Sequence, residues 1–378
     1  LQVIPELDTG GAEQTTLDVA SAVIAAGGRA IVATRGGRMA KILSGSGGEV
    51  EILNVQSKNP VTILANSLAL AGLIRRQKVH VIHARSRAPA ISAFLAAKLT
   101  GIAFVATYHG VYNAHSPLKR WYNSVMTRGA LTIANSDYTR ERVIATHGLS
   151  PDRVISIPRG VDLGRFDPER VDQARIAALR QAWGLTDSDT RLSLLLAGRL
   201  TRWKGQRLLI EAIGALKAKG QDQIVLILAG DSQGRDTYKA ELQDLVQSLG
   251  LEDQVRLVGH CDDMPAAYLA CDAAAAPSLE PEAFGRTAVE PQIMGRPVLA
   301  ADHGAATETV IDGVTGFRLA PGDVAAWADG LARLIALGPA GRAAMGKAGQ
   351  ERAVRLYSAK AMTSATLDVY ARLLGAAA

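Results

Sequence analysis

An α/β fold of two successive doubly wound, parallel-sheet (Rossmann-like) domains is what this sequence predicts, on three observations. Short continuous apolar runs alternate with segments of helical period along the whole chain, and strand, helix, strand, helix implies parallel pairing through right-handed crossovers. That rhythm breaks once, at "PRGVDLGRFDPERVD" (158–172), where Pro, Gly and charge read as the start of a linker, and then it restarts. The chain has 378 residues, more than one hydrophobic core usually spans. The expected domains are residues 1–168 and 169–356.

In the first half, "LQVI" (1–4), "IVAT" (31–34), "VHVIHA" (79–84), "IAFVAT" (102–107), "ALTIANS" (130–136) and "RVISIP" (153–158) read as buried strands. The segment "PVTILANSLALAGLIRRQ" (60–77) has helical period, and Ser136 is placed to cap the helix that follows its strand. In the second half the strands are "RLSLLLAG" (191–198), "QIVLILAG" (223–230), "QVRLVG" (254–259), "CDAAAAPS" (271–278), "RPVLAA" (296–301) and "TGFRLA" (315–320). Ala-rich helices, 323–337 and 340–376, close the chain. Ligands of open parallel sheets sit outside the carboxyl ends of the strands. Two such domains facing each other across a cleft would hold a ligand there.

Composition narrows the function. The chain is 48% hydrophobic and 21% charged, as in ordinary soluble proteins, and its 4% aromatic content argues against a base-stacking surface for RNA. Cys261 and Cys271 lie in segments that read as interior and fit no metal framework, so they read as small apolar fillers in a reducing, cytoplasmic compartment. No apolar run reaches the roughly 18–20 residues that span a bilayer, and no signal peptide is visible. The chain opens inside an apolar stretch, so a few leading residues are expected before Leu1.

The net charge of +6 is uneven. Residues 1–170 hold 20 Lys/Arg against 12 Asp/Glu, whereas residues 171–378 hold 22 against 24. A basic first half suggests an anionic partner there: a membrane surface, an acidic substrate or nucleic acid. Between Arg75 and Arg159 stand 13 Lys/Arg and only three acids, Asp137, Glu141 and Asp152. Within this region "NAHSPLKRWYNSVMTRG" (113–129) interleaves Lys119, Arg120, Trp121, Tyr122 and Arg128. Two readings stay open: a surface for the inner leaflet or an anionic lipid-linked acceptor, or an ordinary solvated helix with a buried Trp.

The loops after the strands carry the chemistry. In "PELDTGGAEQ" (5–14), Gly10-Gly11 lets backbone come close to a ligand at the start of a helix, whose N–H groups suit an anion. It is not the G-x-G-x-x-G dinucleotide fingerprint. In "AGRLTRWKGQ" (197–206), Arg199 and Lys204 combine a planar fork and a point charge at a strand end, which fits a diphosphate. In "VATYHG" (105–110), His109 ends another strand and reads as a ligand contact or a core histidine.

"PEAFGRTAVEPQIMGRP" (281–297) holds Glu282 and Glu290. Glu282 falls on the loop before a helix beginning near Gly285, and Glu290 falls inside it. Eight residues of helix rise about 12 Å, so the two acids are poorly placed to flank a single bond as a glycosidase dyad would. They read as two acceptors gripping the ends of a polyhydroxylated ligand, with the N–H groups of Gly285, Arg286 and Thr287 holding a phosphate between them. The order carboxylate, phosphate cradle, carboxylate matches sugar, diphosphate, ribose. The pair Asp187-x-Asp189 in "TDSDT" could hold a divalent metal, but it lies in a polar turn far from the phosphate loop, so no metal is expected.

The ordered set "GGAE" (10–13), "YHG" (108–110), "GRLTRWKG" (198–205), "GHCDDMPAAYLACDAAAAPS" (259–278), "EAFGRTAVE" (282–290) and "MGRPVLAADHGAATETVIDGVTGF" (294–317) resembles the retaining glycosyltransferases of family four, the "group 1" family with the GT-B fold. The resemblance covers almost the whole chain. It implies a nucleotide-diphosphate sugar donor, a UDP-sugar or GDP-sugar, bound mostly by the second domain, with no required cofactor. Arg199 and Lys204 match positions on the donor phosphates, Glu282 the acid on the sugar hydroxyls and Glu290 the acid on the ribose. Phe284, Gly285, Arg286 and Thr287 lie between these acids in the donor loop, and Gly10, Gly11 and His109 match first-domain positions that close over the donor. Transfer would retain the anomeric configuration by front-side attack, with Arg199 and Lys204 stabilising charge on the leaving diphosphate and domain closure excluding water. A terminal helix at about 357–376 would cross back onto the first domain.

The sequence departs from the family pattern at Arg159, where Asn is frequent, at Pro291, where Ala is commoner and a kink or a lost hydrogen bond follows, and at Ala305, where Gly is common. The expected acceptor is a lipid-linked or phosphorylated glycan of the cell envelope, as in lipopolysaccharide assembly, reached by a protein peripheral on the inner face of the cytoplasmic membrane. The competing readings are an epimerase or phosphorylase on the same fold and a non-catalytic binder of a sugar nucleotide. No recognised module supports nucleic acid as a partner.

Overall fold

The computed structural model describes residues 1–375 except Thr9, Asn113, Asp187 and Arg235. The chain divides into two compact units, Leu1–Gly160 with Ala359–Ala378, and Val161–Ser358. The first contains strands β1 (Gln2–Val3), β2 (Ile31–Thr34), β3 (Glu49–Ile52), β4 (Val81–Ala84), β5 (Ala103–Tyr108), β6 (Leu131–Ala134) and β7 (Val154–Ser156). They form one sheet in the order β3-β2-β1-β4-β5-β6-β7, every pairing parallel. The second contains β8 (Leu192–Ala197), β9 (Ile224–Ala229), β10 (Val255–Gly259), β11 (Ala273–Ala276), β12 (Val298–Ala301) and β13 (Gly316–Leu319), parallel in the order β10-β9-β8-β11-β12-β13. Both orders reverse beside the first strand of the sheet, the doubly wound arrangement the sequence predicts.

Helices cover both faces, so the central strands are buried throughout and read as unbroken apolar runs; every residue of β8 and β9 is buried. The edge strand β3 is the exception. Its "EVEI" alternates charge with apolar side chains and Ile52 is 63% exposed, so no continuous apolar run marks it in the sequence.

Helix starts follow their caps. Asn59 Oδ1 accepts from Val61 N (2.9 Å) to open Pro60–Gln77, and Ser136 Oγ accepts from Thr139 N (3.0 Å) to open Asp137–His147. The terminal stretch expected as one helix over 340–376 is two, Gly338–Tyr357 and Ala359–Gly375. Ser358 breaks them because it is extended and pairs with Val161 in a parallel bridge, while Val161 N donates to Tyr357 O (2.8 Å). The segment 158–172 is likewise no free linker: Val161, Phe166 and Val171 are buried in the core of the second unit, which therefore begins before residue 168. The helix Ala359–Gly375 belongs to the first unit, where Met362, Val369 and Leu373 pack with Val19, Val105, Ile133 and Ile157. Cys271 is buried, whereas Cys261 is only half-buried, on the loop after β10. Among the described residues, no helix is long and apolar enough to cross a membrane.

Candidate functional site

In the second unit, the chain leaves β8 through Gly198 and Arg199, makes a short 3-10 turn over Arg202–Lys204, and enters the helix Gln206–Ala218. Gly205 joins turn to helix at φ +77°, and a Cβ there would lie 2.1 Å from Pro277 O, so only glycine lets this loop lie against the one after β11. Leu279 N donates to Trp203 O (2.7 Å) and ties the two loops together.

That contact brings Lys204 and Glu282 into one ion pair. Lys204 Nζ is 2.8 Å from Glu282 Oε1, with the side chains 13% and 21% exposed, and it stands 4.3 Å from the centre of the Trp203 ring. Ser278 Oγ donates to the same carboxylate oxygen. His303 Nε2 meets Ser278 O at 2.7 Å, and Ala305 N donates to Glu282 O at 2.9 Å. A cavity of about 20 Å³ beside this group, lined in part by Ser278, Glu282, Gly285 and His303, has room for about one water. Arg199 is exposed, and its guanidinium makes no hydrogen bond or ion pair with the described residues; its carbonyl accepts from Gln206 Nε2 (2.9 Å).

The helix Arg286–Ile293 starts from Gly285, and no side chain of the described residues caps it, so N–H groups of its first turn lack a side-chain acceptor. Phe284, expected in the donor loop, has its ring buried and set edge-on to Tyr357 at 5.7 Å. Glu290 is buried inside the helix. Arg286 Nε and Nη2 approach its Oε1 at 2.6 and 2.5 Å, and the Tyr268 hydroxyl donates to Oε2 at 3.0 Å. Glu282 and Glu290 therefore have separate partners. Pro291 stands within this helix, which ends at Ile293.

In the first unit, Gly10 is the N-cap of the helix Gly11–Ala25, and no side chain of the described residues caps that helix. A Cβ on Gly11 would lie 2.5 Å from Arg159 Nη1, so the arginine at the unusual position is the neighbour of this glycine. His109 follows β5. Its carbonyl accepts from Asn135 Nδ2 (3.2 Å) and Arg159 Nη2 (3.4 Å), while both ring nitrogens are shut from solvent without a hydrogen bond among the described residues. Burial, then the charges of Arg159 and Arg85, hold its pKa well below 6.5, so the ring is neutral at physiological pH.

Of the Asp187-x-Asp189 pair, Asp187 lies outside the described residues, and Asp189 is bound by Arg191 at 2.7 Å. On the basic stretch, the helix Pro117–Ser124 exposes Trp121 by 60%, which removes the reading of a buried tryptophan. The residues that sequence reasoning missed are Ser278, Trp203, Tyr268 and His303. Ser278 and His303 follow strand ends, the one signal that could have found them; Tyr268 sits on a helix, and nothing local marks it.

Two family models cover most of the chain: Glycosyltransferase Family 4 matches residues 9–165, and Glycosyl transferases group 1 matches residues 181–352. The D-inositol 3-phosphate glycosyltransferase of Salinispora tropica is 32% identical over 245 residues, 63% of this chain and 50% of that protein. The chain thus spans about half the length of such curated relatives. The enzyme of the same description from Actinosynnema mirum is 30% identical over 73% of this chain and 70% of its own. Among solved structures, a glycosyltransferase from Rickettsia africae superposes with a TM-score of 0.89 at 31% identity, covering 99% of this chain and 97% of that one. Anabaena HepE, solved with UDP and glucose, gives 0.80 at 25% identity over 98% and 100%. With both halves of the chain matched and the GT-B fold shared with these structures, the protein belongs to glycosyltransferase family 4, the group 1 glycosyltransferases.

Proposed function

We propose that this protein transfers a hexosyl group from a nucleotide-diphosphate sugar to a phosphorylated or lipid-linked glycan acceptor, with retention of the anomeric configuration. The observation that carries the reading is the Lys204–Glu282 pair at the carboxyl ends of β8 and β11, with an exposed Arg199 and a helix N-terminus that have no side-chain partner among the described residues. The cations and the N–H groups of Gly285, Arg286 and Thr287 suit a diphosphate. Glu282 and Glu290, held apart by different partners, suit the hydroxyls of the sugar and of the ribose. A UDP-sugar is the first choice of donor because HepE was solved with UDP and UDP-glucose; GDP-sugars are the second. As the sugar–phosphate bond breaks, the bonding pair stays on the diphosphate oxygen, where Arg199 and Lys204 stabilise the charge. That oxygen then takes the proton of the attacking acceptor hydroxyl. Glu282 is engaged by Lys204 and Ser278, which favours a binding role over a nucleophilic one. The first unit would supply the acceptor side, while its Gly10, Gly11 and His109 would contact the donor.

The acceptor reading leans on two facts. The curated relatives are named for D-inositol 3-phosphate, a phosphorylated polyol, and the first unit carries the basic excess. On that unit Val61, Leu64 and Leu68 form an exposed stripe at helical spacing, and Leu95, Leu99, Leu118 and Trp121 are exposed on neighbouring helices. A groove of about 370 Å³ runs among them, with Lys58 on its lining and Arg128 5.6 Å from the Trp121 ring. Apolar side chains ringed by cations suit an anionic leaflet. The Trp121→Ser, Leu118→Ser double variant should lose sedimentation with anionic vesicles at low salt; equal sedimentation of both proteins would remove the membrane from the proposal.

The transfer itself is tested by incubating the protein with UDP- and GDP-sugars and phosphorylated polyols, and reading nucleotide release and product anomer by NMR. The expected result is acceptor-dependent UDP release and a product with the donor's anomeric configuration. An inverted product would sink retention, sugar 1-phosphate formed from free phosphate would point to a phosphorylase, and an altered donor sugar without acceptor would point to an epimerase.

A further inference from the structure

Glu290 is an unusual group to find on a helix interior: a carboxylate almost closed to solvent, held by one partner on each oxygen. An ionised carboxylate accepts about four hydrogen bonds. Arg286, one turn earlier on the same helix, occupies Oε1, and the Tyr268 hydroxyl occupies Oε2 from another helix, Met264–Ala270. Arg286 sends both Nε and Nη2 to Oε1, so the acceptor direction that is left lies on Oε2, beside the Tyr268 hydroxyl. A ribose offers O–H donors, and Oε2 can take one of them, provided the carboxylate plane is turned the right way.

Arg286 cannot set that plane alone. Both of its contacts go to one oxygen, and its side chain is nearly half exposed. Tyr268 can. It is 2% exposed, and its ring packs near Phe166. Its helix is capped by Asp263, whose Oδ1 accepts from Ala266 N (3.3 Å), and its carbonyl accepts from Arg296 Nε (3.2 Å). Burial and the nearby Glu290 keep the phenol pKa well above 10, so the hydroxyl stays a donor. A ring fixed on every side thus directs one O–H at one carboxylate oxygen.

We infer that Tyr268 is a positioning residue for donor binding: it orients the Glu290 carboxylate so that Oε2 receives a hydroxyl of the nucleotide ribose. The inference rests on the reading of Glu290 as the ribose acceptor. It adds a residue that touches no substrate, and it predicts selectivity for a nucleotide that keeps its ribose hydroxyls.

The test is calorimetric binding of UDP and of 2′,3′-dideoxy-UDP to the wild type, Tyr268→Phe and Glu290→Gln, each checked for a cooperative melt. Hydrogen bonds to charged groups support an effect of about tenfold. Glu290→Gln should weaken UDP by that factor and leave the dideoxy nucleotide unchanged. Tyr268→Phe should do the same, raising KM for the donor sugar while leaving kcat alone. If Glu290→Gln loses the discrimination but Tyr268→Phe keeps the wild-type ratio of the two affinities, Tyr268 only satisfies a buried oxygen and the inference is overturned, even where its melting temperature falls. If Glu290→Gln itself keeps the wild-type ratio, the ribose role of Glu290 fails, and the inference falls with it.

Discussion

Lys204 and Arg199 are five residues apart and share a proposed ligand, yet the fold treats them differently. Lys204 is mostly buried against Glu282, and removing one member of a buried pair strands the other. Lys204→Ala should therefore cost roughly 1–3 kcal/mol of stability as well as turnover, read by denaturant unfolding beside an assay. Arg199 is exposed and unpartnered among the described residues, so Arg199→Ala should leave stability within about 0.5 kcal/mol and lower kcat by roughly a hundredfold or more. Equal stability losses in the two variants would contradict this division. Arg85 makes a second contrast. It is buried, and its Nε donates to the neutral Gln2 Oε1 at 2.7 Å, with no ion pair among the described residues. Gln2→Leu strands the charge, whereas Arg85→Met removes it, so Gln2→Leu should be the more destabilising by roughly 1–3 kcal/mol. Residue types and loop positions made Arg199, Lys204, Glu282 and Glu290 legible in the sequence. Their partners were not, because Lys204 meets Glu282, and Tyr268 meets Glu290, only through tertiary packing.

At the scale of elements, His83 ties the last helix to the first sheet. Its Nδ1 meets the Tyr370 hydroxyl at 2.6 Å and its Nε2 meets Thr107 Oγ1 at 2.7 Å. Burial first, then Arg85 and His109, hold its pKa well below 6.5. The unfolded chain therefore binds a proton that the folded one refuses, so stability is complete above pH 6.5 and falls as the pH drops below it. His109 adds a fall of the same sign. Thermal unfolding at pH 5.5 should occur below that at pH 7.5, and His83→Gln should flatten the difference; an unchanged slope would refute the assignment. Most strands were legible because a parallel strand covered on both faces cannot hide its apolar run. β3 escaped because it is a half-wet edge. The break at Ser358 escaped the helical pattern, and only the family resemblance placed a terminal helix at about 357–376, because the cause of the break is Val161, nearly two hundred residues away in sequence.

At the scale of the molecule, one chain builds two cores, and the first unit is completed only by the final helix. Ending the chain after Ser358 removes Met362, Val369 and Leu373 from that core, each contributing about 1.5–3 kcal/mol. The truncated protein should lose protease resistance in residues 1–160 and keep it in residues 161–358; equal resistance in both would contradict the division. The central claim is that the second unit holds a nucleoside diphosphate, and a thermal-shift titration with UDP, GDP and ADP on the wild type and Arg199→Ala tests it most directly. A ligand that binds only the folded protein adds about 2.7 kcal/mol at a hundredfold excess over Kd, a shift of a few degrees. Such a shift is expected with one nucleoside diphosphate, UDP first, and a much smaller one in Arg199→Ala, whose own melting temperature matches the wild type. No shift with any of the three, or an equal shift in the variant, would contradict it.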